Sequence, residues 1–253
     1  MSKEDVDTIF ILEGNYYNGV NYTAGLKISK EINIIGIGNV HFYNTSSPID
    51  ITNACYIENI IFDGGVSALT THLTTQLVVF NKCKFLNATG NNGLTALGGY
   101  FILEKCEASG NYLDGFNYHS YNGYYNFVIE IECYGFNNGT KKSGINNAST
   151  MHEAGKIIRI NGTYGISNGG VVADADGAKS LNYGCVAYCN QFLTNENRMG
   201  NYVCIGTNSA IWLYDCISFG SKYDIICDAG KLYTNKTYTK EFAPNSGTIL
   251  RIE

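Results

Sequence analysis

The stretch Phe80-Asn-Lys-Cys83-Lys-Phe-Leu-Asn87, answered by Leu103-Glu-Lys-Cys106-Glu-Ala-Ser-Gly110, decides the fold. Both segments run from an apolar residue through Lys to Cys, alternate once more, and end on Asn or Gly. Their cysteines are 23 residues apart. Related segments extend the series in both directions: Ile32-Asn-Ile-Ile35-Gly-Ile-Gly38, Ile57-Glu-Asn-Ile60-Ile-Phe-Asp63, Ile131-Glu-Cys133-Tyr-Gly-Phe-Asn137, Arg159-Ile-Asn-Gly162-Thr-Tyr-Gly165, Tyr183-Gly-Cys185-Val-Ala-Tyr188 and Tyr214-Asp-Cys216-Ile-Ser-Phe-Gly220. With Ile35, Ile60, Cys83, Cys106, Cys133, Gly162, Cys185 and Cys216 as anchors, the steps are 25, 23, 23, 27, 29, 23 and 31. A floor near 23 with variable excess marks a solenoid whose coils carry loops on the outside. Each segment is short, alternating and β-branched, which reads as strand. The expectation is an all-β fold: a single-stranded right-handed parallel β-helix, a solenoid with coils of about 23 residues. It fills residues 1–253 as one domain, either whole or part of a longer protein.

Composition agrees. The chain has 29 Gly and 20 Tyr but only 2 Pro, and Asn pairs repeatedly with Gly. Asn and Gly tolerate left-handed backbone, so many tight corners are expected. A formal charge of −5 excludes the usual basic face of a nucleic-acid binder. No apolar run is long enough for a transmembrane helix, so no membrane insertion is expected. The first residues lack the apolar stretch of a signal peptide, which implies synthesis in the cytoplasm. Nine cysteines, an odd number without a CxxC pair, read as reduced buried thiols. In a solenoid, equivalent positions of adjacent coils lie about 4.8 Å apart. Cys83, Cys106 and Cys133 should therefore stack inward in a line, which suits packing and not the convergence a metal needs. No cofactor is expected.

The chain also resembles a known family. Ile9-Phe-Ile-Leu-Glu-Gly-Asn-Tyr-Tyr17 resembles the first coil of pectate-lyase-like β-helix proteins, and Ile32-Asn-Ile-Ile-Gly-Ile-Gly-Asn39 their second. Asp114-Gly-Phe-Asn-Tyr-His119, Ala148-Ser-Thr-Met-His-Glu153 and Gly170-Val-Val-Ala-Asp-Ala-Asp176 are similar to β-helix proteins of phage and prophage tails, the tailspike or receptor-binding class. That resemblance implies a homotrimer in the virion tail, made in the host cytoplasm, that binds or cuts a bacterial surface glycan. The alternatives are a non-catalytic adhesin on the same scaffold and an extracellular bacterial polysaccharide lyase. A lyase that pairs Ca²⁺ with an Arg base fits poorly, because only Arg159, Arg198 and Arg251 occur.

Within these motifs the residues suggest one site. Glu153 and Asp176 are 23 residues apart, one coil, and so should sit on the same face. Stacked carboxylates repel, which leaves one protonated, and an acid beside a carboxylate is what glycosidic cleavage requires. Asp174 is expected on the same side of its strand as Asp176. His119 and His152 are candidate proton shuttles. Asp114, Tyr118, Tyr121 and Arg159 are candidate substrate-binding residues, with tyrosines stacking on sugar rings. The bland readings are turn capping for Asp114 and Asp176, a plain outward strand position for Arg159, and core packing for the tyrosines. Stacked acids binding Ca²⁺ is a further alternative. The polar run 140–147 lies in a long step and is expected to be an external loop.

Overall fold

The computed structural model describes residues 7–18, 25–44, 48–140, 146–167, 169–189, 200–239 and 246–252. Its strands form two sheets, of 17 and 9 strands, and the ladders between successive coils are parallel. The larger sheet is creased lengthwise, so each coil has three faces. One coil serves as the pattern: Tyr100–Glu104 on the first face, Glu107–Ser109 on the second and Phe116–His119 on the third. The next coil repeats it with Phe127–Ile131, Tyr134–Phe136 and Ser149–Met151. This is the expected parallel β-helix, and no helix occurs among the described residues.

The crease explains the motif that repeats in sequence. One residue per coil sits there in the left-handed region: Asn59, Lys82, Lys105, Glu132, Asn161, Gly184, Asp215 and Lys236, with φ between 44° and 63°. Each immediately precedes a repeat position. The pairings Ile61↔Lys84, Lys84↔Glu107, Glu107↔Tyr134, Tyr134↔Thr163, Thr163↔Val186 and Val186↔Ile217 reproduce the steps of 23, 23, 27, 29, 23 and 31. The first anchor is corrected. Ile35 pairs with Glu58, and it is Val40 that lies beside Ile60, because the register shifts within the long strand Ile32–Asn44. Such a bulge adds residues to one strand without changing its alternation elsewhere.

Just past the crease, Cys83, Cys106, Cys133, Cys185 and Cys216 point inward. Each thiol donates to a carbonyl of the preceding coil, those of Ile57, Phe80, Leu103, Arg159 and Asn182, at 3.3–3.4 Å. All nine cysteines are free and buried. Gly162 interrupts the ladder for a steric reason: a Cβ there would lie 2.5 Å from the Tyr164 hydroxyl, whose ring occupies the space. Packed rings fill the N-terminal half of the core, with Phe85 stacked on Phe62 at 5.7 Å and edge-on to Phe80 at 5.2 Å.

The first face breaks the usual pattern, because the central ladder of its outward side is apolar too, although the row beside it carries Lys156, Lys179 and Lys231. The outward ladder Val79, Ile102, Ile129, Ile158, Leu181, Trp212, Tyr233 and Leu250 runs without a charged residue. Leu77, Tyr100 and Phe127 flank it, each more than 40% exposed.

Of the run 140–147 expected to be an external loop, Thr140 is exposed, and 141–145 lie outside the described residues. Asn146 and Asn147 are corrected: both are buried, and the Asn147 amide donates to Asp114 across the coil boundary.

Candidate functional site

The third face presents two inward ladders, one through Phe116 and Ser149 and one through Tyr118, Met151 and Asp174. Between them an outward ladder runs Thr70, Thr95, Asn117, Thr150 and Ala173. This outward ladder is the floor of a groove, because residues of the flanking corners close over it. Asn92 donates to Thr95, Asn117 donates to Asp114 at 2.6 Å, and Thr150 meets His152 at 3.1 Å. Asn117 is 4% exposed, and its Oδ1 has no hydrogen-bond partner. The floor residues are therefore covered by the corners, and the Asn117 Oδ1 is a buried acceptor left without a partner.

One edge of the groove is built from histidines. His72, Leu97 and His119 occupy one register position, and His152 follows in the next coil, its amide bonded to the Tyr118 carbonyl. The His119 and His152 rings lie parallel, 4.1 Å between centroids and 8° between planes. Each histidine faces a carboxylate: His72 Nδ1 to Asp50 at 2.7 Å, His119 Nδ1 to Glu153 at 3.3 Å, and His152 Nδ1 to Asp176 at 3.4 Å. Tyr121 packs edge-on against His72, with ring centroids 5.2 Å apart. Beyond it the chain reverses over Asn122-Gly123, both left-handed, which leaves Tyr124 and Tyr125 exposed beside the groove.

Glu153 and Asp176 occupy equivalent corner positions one coil apart, since Met151 pairs with Asp174 and the Ala154 amide bonds the Asp176 carbonyl. Both are left-handed, at φ 56° and 57°, a conformation that costs a non-glycine residue on the order of 1 kcal/mol. The reward at Glu153 is visible, because its Oε2 accepts from both the amide and the hydroxyl of Ser120, at 2.6 and 2.7 Å. Partial burial pushes the Glu153 carboxyl up, but the Ser120 donors and His119 outweigh it and hold it below its ordinary value. His152 is lowered, first by burial and then by the neighbouring His119, against Asp176 and Glu153.

The structure thus brings together His119, His152, Glu153 and Asp176, with Tyr121 at one end and Asp114 across the floor. It separates three other candidates from them. Tyr118, Arg159 and Asp174 are fully buried inside the coil. Asp174 does not share a side with Asp176, because the corner begins between them and its left-handed turn breaks the strand parity. Arg159 is inward in Lys156–Ile160, where Ile158 faces out, the reverse of the expected orientation.

The chemistry of the stacked acids also differs from expectation. Glu153 is held ionised, whereas burial pushes the Asp114 carboxyl across the floor up to about 6. Both Asp114 oxygens are already engaged, by the Asn147 amide and the Asn117 side chain. Asp114 therefore braces the corner and does not offer its proton to the groove. Among the described residues no group of three or more His, Cys, Asp or Glu is placed to hold a metal ion.

No family model and no curated protein matches the sequence. Solved structures do match in shape. The enzymatically active domain of bacteriophage CBA120 tailspike protein 4 superposes with a TM-score of 0.59 at 13% identity, covering 87% of this chain and 37% of that one. The fold is similar to that of a phage tailspike. The A-module of the Azotobacter vinelandii mannuronan C-5 epimerase AlgE4 matches with a TM-score of 0.51 at 12% identity, over 96% of this chain and 88% of the module. The chain spans little more than a third of the tailspike domain it resembles, and at these identities the likeness is one of fold.

Sequence reasoning missed Ser120, Asn117, Thr150 and His72. Spacing holds only part of the signal for the histidine ladder. His72 and His119 are 47 residues apart, nearly two coils with Leu97 between them, but a long corner sets His119 and His152 33 apart.

Proposed function

We propose that the chain is the glycan-recognising β-helix of a phage-type tail protein, and that the third-face groove binds bacterial surface polysaccharide. The observation that carries this is the histidine edge. Paired imidazoles and carboxylates beside exposed Tyr124 and Tyr125 supply hydrogen-bond partners and stacking faces for sugar rings. The neighbours support the class, one being a tailspike and the other acting on a polysaccharide by name. Binding without cleavage fits the groove better than hydrolysis. Glu153 is held ionised by Ser120 and His119, and Asp114 is locked in its corner.

The test is calorimetric titration with purified capsules and O-chains. A ligand found this way should bind His152→Ala and Glu153→Gln at least tenfold more weakly, with melting temperatures nearly unchanged. Equal affinity for both variants would remove the groove from the reading. Reducing ends or unsaturated products that appear with the wild type and vanish in Glu153→Gln would instead establish a depolymerase.

The same reading includes a homotrimer in the virion tail, and the outward side of the first face is the surface that fits a second copy. Eight coils at about 4.8 Å and strands about 17 Å long give roughly 600 Å². That area, an apolar central ladder with Lys156, Lys179 and Lys231 along one side, approaches the roughly 800 Å² each partner gives to a standard interface. Leu181→Glu should reduce the mass seen by light scattering to that of a monomer while the circular dichroism is preserved. A wild-type chain that is monomeric at tens of micromolar would overturn this assignment.

A further inference from the structure

The inward ladder of the first face reads Phe80, Leu103, Glu130, Arg159, Asn182, Leu213: apolar at both ends and charged in the middle. Glu130 and Arg159 are fully buried, and both reach across the interior to the third face. Glu130 Oε1 accepts from the Tyr118 hydroxyl at 2.7 Å and from the Ser149 hydroxyl at 2.9 Å, and its Oε2 accepts from Tyr164. Arg159 Nε donates to the Ser149 hydroxyl at 2.9 Å, and its terminal nitrogens approach Asp174 Oδ1 at 3.4 and 3.5 Å.

The third-face members of this cluster are chain neighbours of the site. Tyr118 precedes His119. Ser149 precedes Thr150, which meets His152. Asp174 lies two residues before Asp176. The charged interior therefore occupies the coils whose outer edge carries the His119–His152 stack and its two carboxylates. The preceding coil fills the same ladder with Leu103, and past Asn182, which accepts from Arg159, the ladder returns to Leu213, so an apolar residue suffices at this position elsewhere in the fold. Buried charge costs desolvation that packing does not require, whereas directional bonds specify a geometry that apolar contacts leave soft.

We propose that Glu130 and Arg159 are positioning residues for the third-face groove. They pin three successive strands from inside, so that the His119 and His152 rings stack and meet Glu153 and Asp176. The inference rests on reading that edge as the recognition site, but it acts on the histidines themselves and is measurable without a ligand.

The experiment places in these coils residues found at the same ladder positions in nearby coils: Glu130→Leu after the adjacent Leu103, Arg159→Leu after Leu213 two coils on, and Asp174→Cys after its partner Cys204. Histidine-ring NMR is followed through a pH titration, with His41 as the internal control because it pairs with Asp63 in a distant coil. The folded triple variant should move the ring signals and pH midpoints of His119 and His152, leave His41 in place, and weaken glycan binding at least tenfold. Unchanged His119 and His152 signals in a folded triple variant would overturn the proposal. If the triple variant does not fold, Glu130→Gln decides, since it keeps the side-chain shape while removing the charge and turning one accepting oxygen into a donor: movement of the same two signals supports positioning, and none overturns it. Signals that move in a protein that binds no glycan would leave the positioning role standing and remove only the recognition reading.

Discussion

Arg159→Leu alone should destabilise the chain by about 3–5 kcal/mol, the usual cost of removing one partner from a buried ion pair. The guanidinium lies beside Asp174 at 3.4 Å and faces Glu130 at 3.8 Å, all three fully buried. Without it two carboxyls share a dry interior with no positive charge. The loss should depend on pH, and its sign follows from Asp174. Burial already raises that carboxyl, and Arg159 is what pulls it back down, so removing Arg159 raises it further. A carboxyl raised in the folded state favours folding below its unfolded value and opposes it as pH rises through the folded value. Urea unfolding should therefore show a smaller deficit for Arg159→Leu at pH 5 than at pH 7.5. A deficit independent of pH would mean that the guanidinium matters here as packing volume and not as charge.

Asp114→Asn should act in the opposite direction, stabilising the chain by about 1–3 kcal/mol at pH 7.5. Burial lifts the Asp114 carboxyl from 3.8 to about 6, against the lowering effects of Asn147, Asn117 and His119. At roughly 1.4 kcal/mol per tenfold, ionising it in place costs up to about 3 kcal/mol. The cost is absent below pH 4, grows as pH rises, and is complete above pH 6. Asparagine keeps the oxygen that accepts from the Asn147 amide. Its new amide group meets Asn117, whose Oδ1 is without a partner and can turn to receive it. The remaining cost is the Asn117 amide group, which loses its acceptor, so the gain falls short of the full figure. Denaturant midpoints at pH 4.5 and 7.5 check this, and the same difference at both values would show that the carboxyl is ionised without penalty.

These cases also show which parts of the molecule were legible. The coil repeat was, because a left-handed residue recurs at each crease from Asn59 on, an inward thiol follows it at five of them, and both leave a mark in sequence. Seven of the eight anchors sit in register. Ile35 does not, because the bulge in Ile32–Asn44 displaces it while the local alternation stays intact. The orientation of Arg159 was illegible for a different reason. Reading polar residues as outward assumes a wet outer surface, and here the central outward ladder of the first face is itself apolar. In Lys156-Ile-Ile-Arg-Ile160 the isoleucines lie on both sides and give no parity signal. Tyr118 is inward because Asn117, its polar neighbour, takes the floor. The proximity of Glu153 to Ser120 could not be read at all, since a side chain reaching back one coil leaves no spacing signature.

The unequal steps between coils have a consequence for how such a protein diversifies. The extra residues in the steps of 27, 29 and 31 fall mainly between Phe116–His119 and Phe127–Ile131, between Tyr134–Phe136 and Ser149–Met151, and between Val186–Tyr188 and Gly200–Ile205. All three intervals border the third face, while from Cys55–Gly64 onward the segment across the crease stays constant in length and only the bulge in Ile32–Asn44 departs from it. Past that bulge, length variation is concentrated beside one face. Residues can be added or removed beside that face without shifting the register of the hydrogen-bonded ladders beneath it.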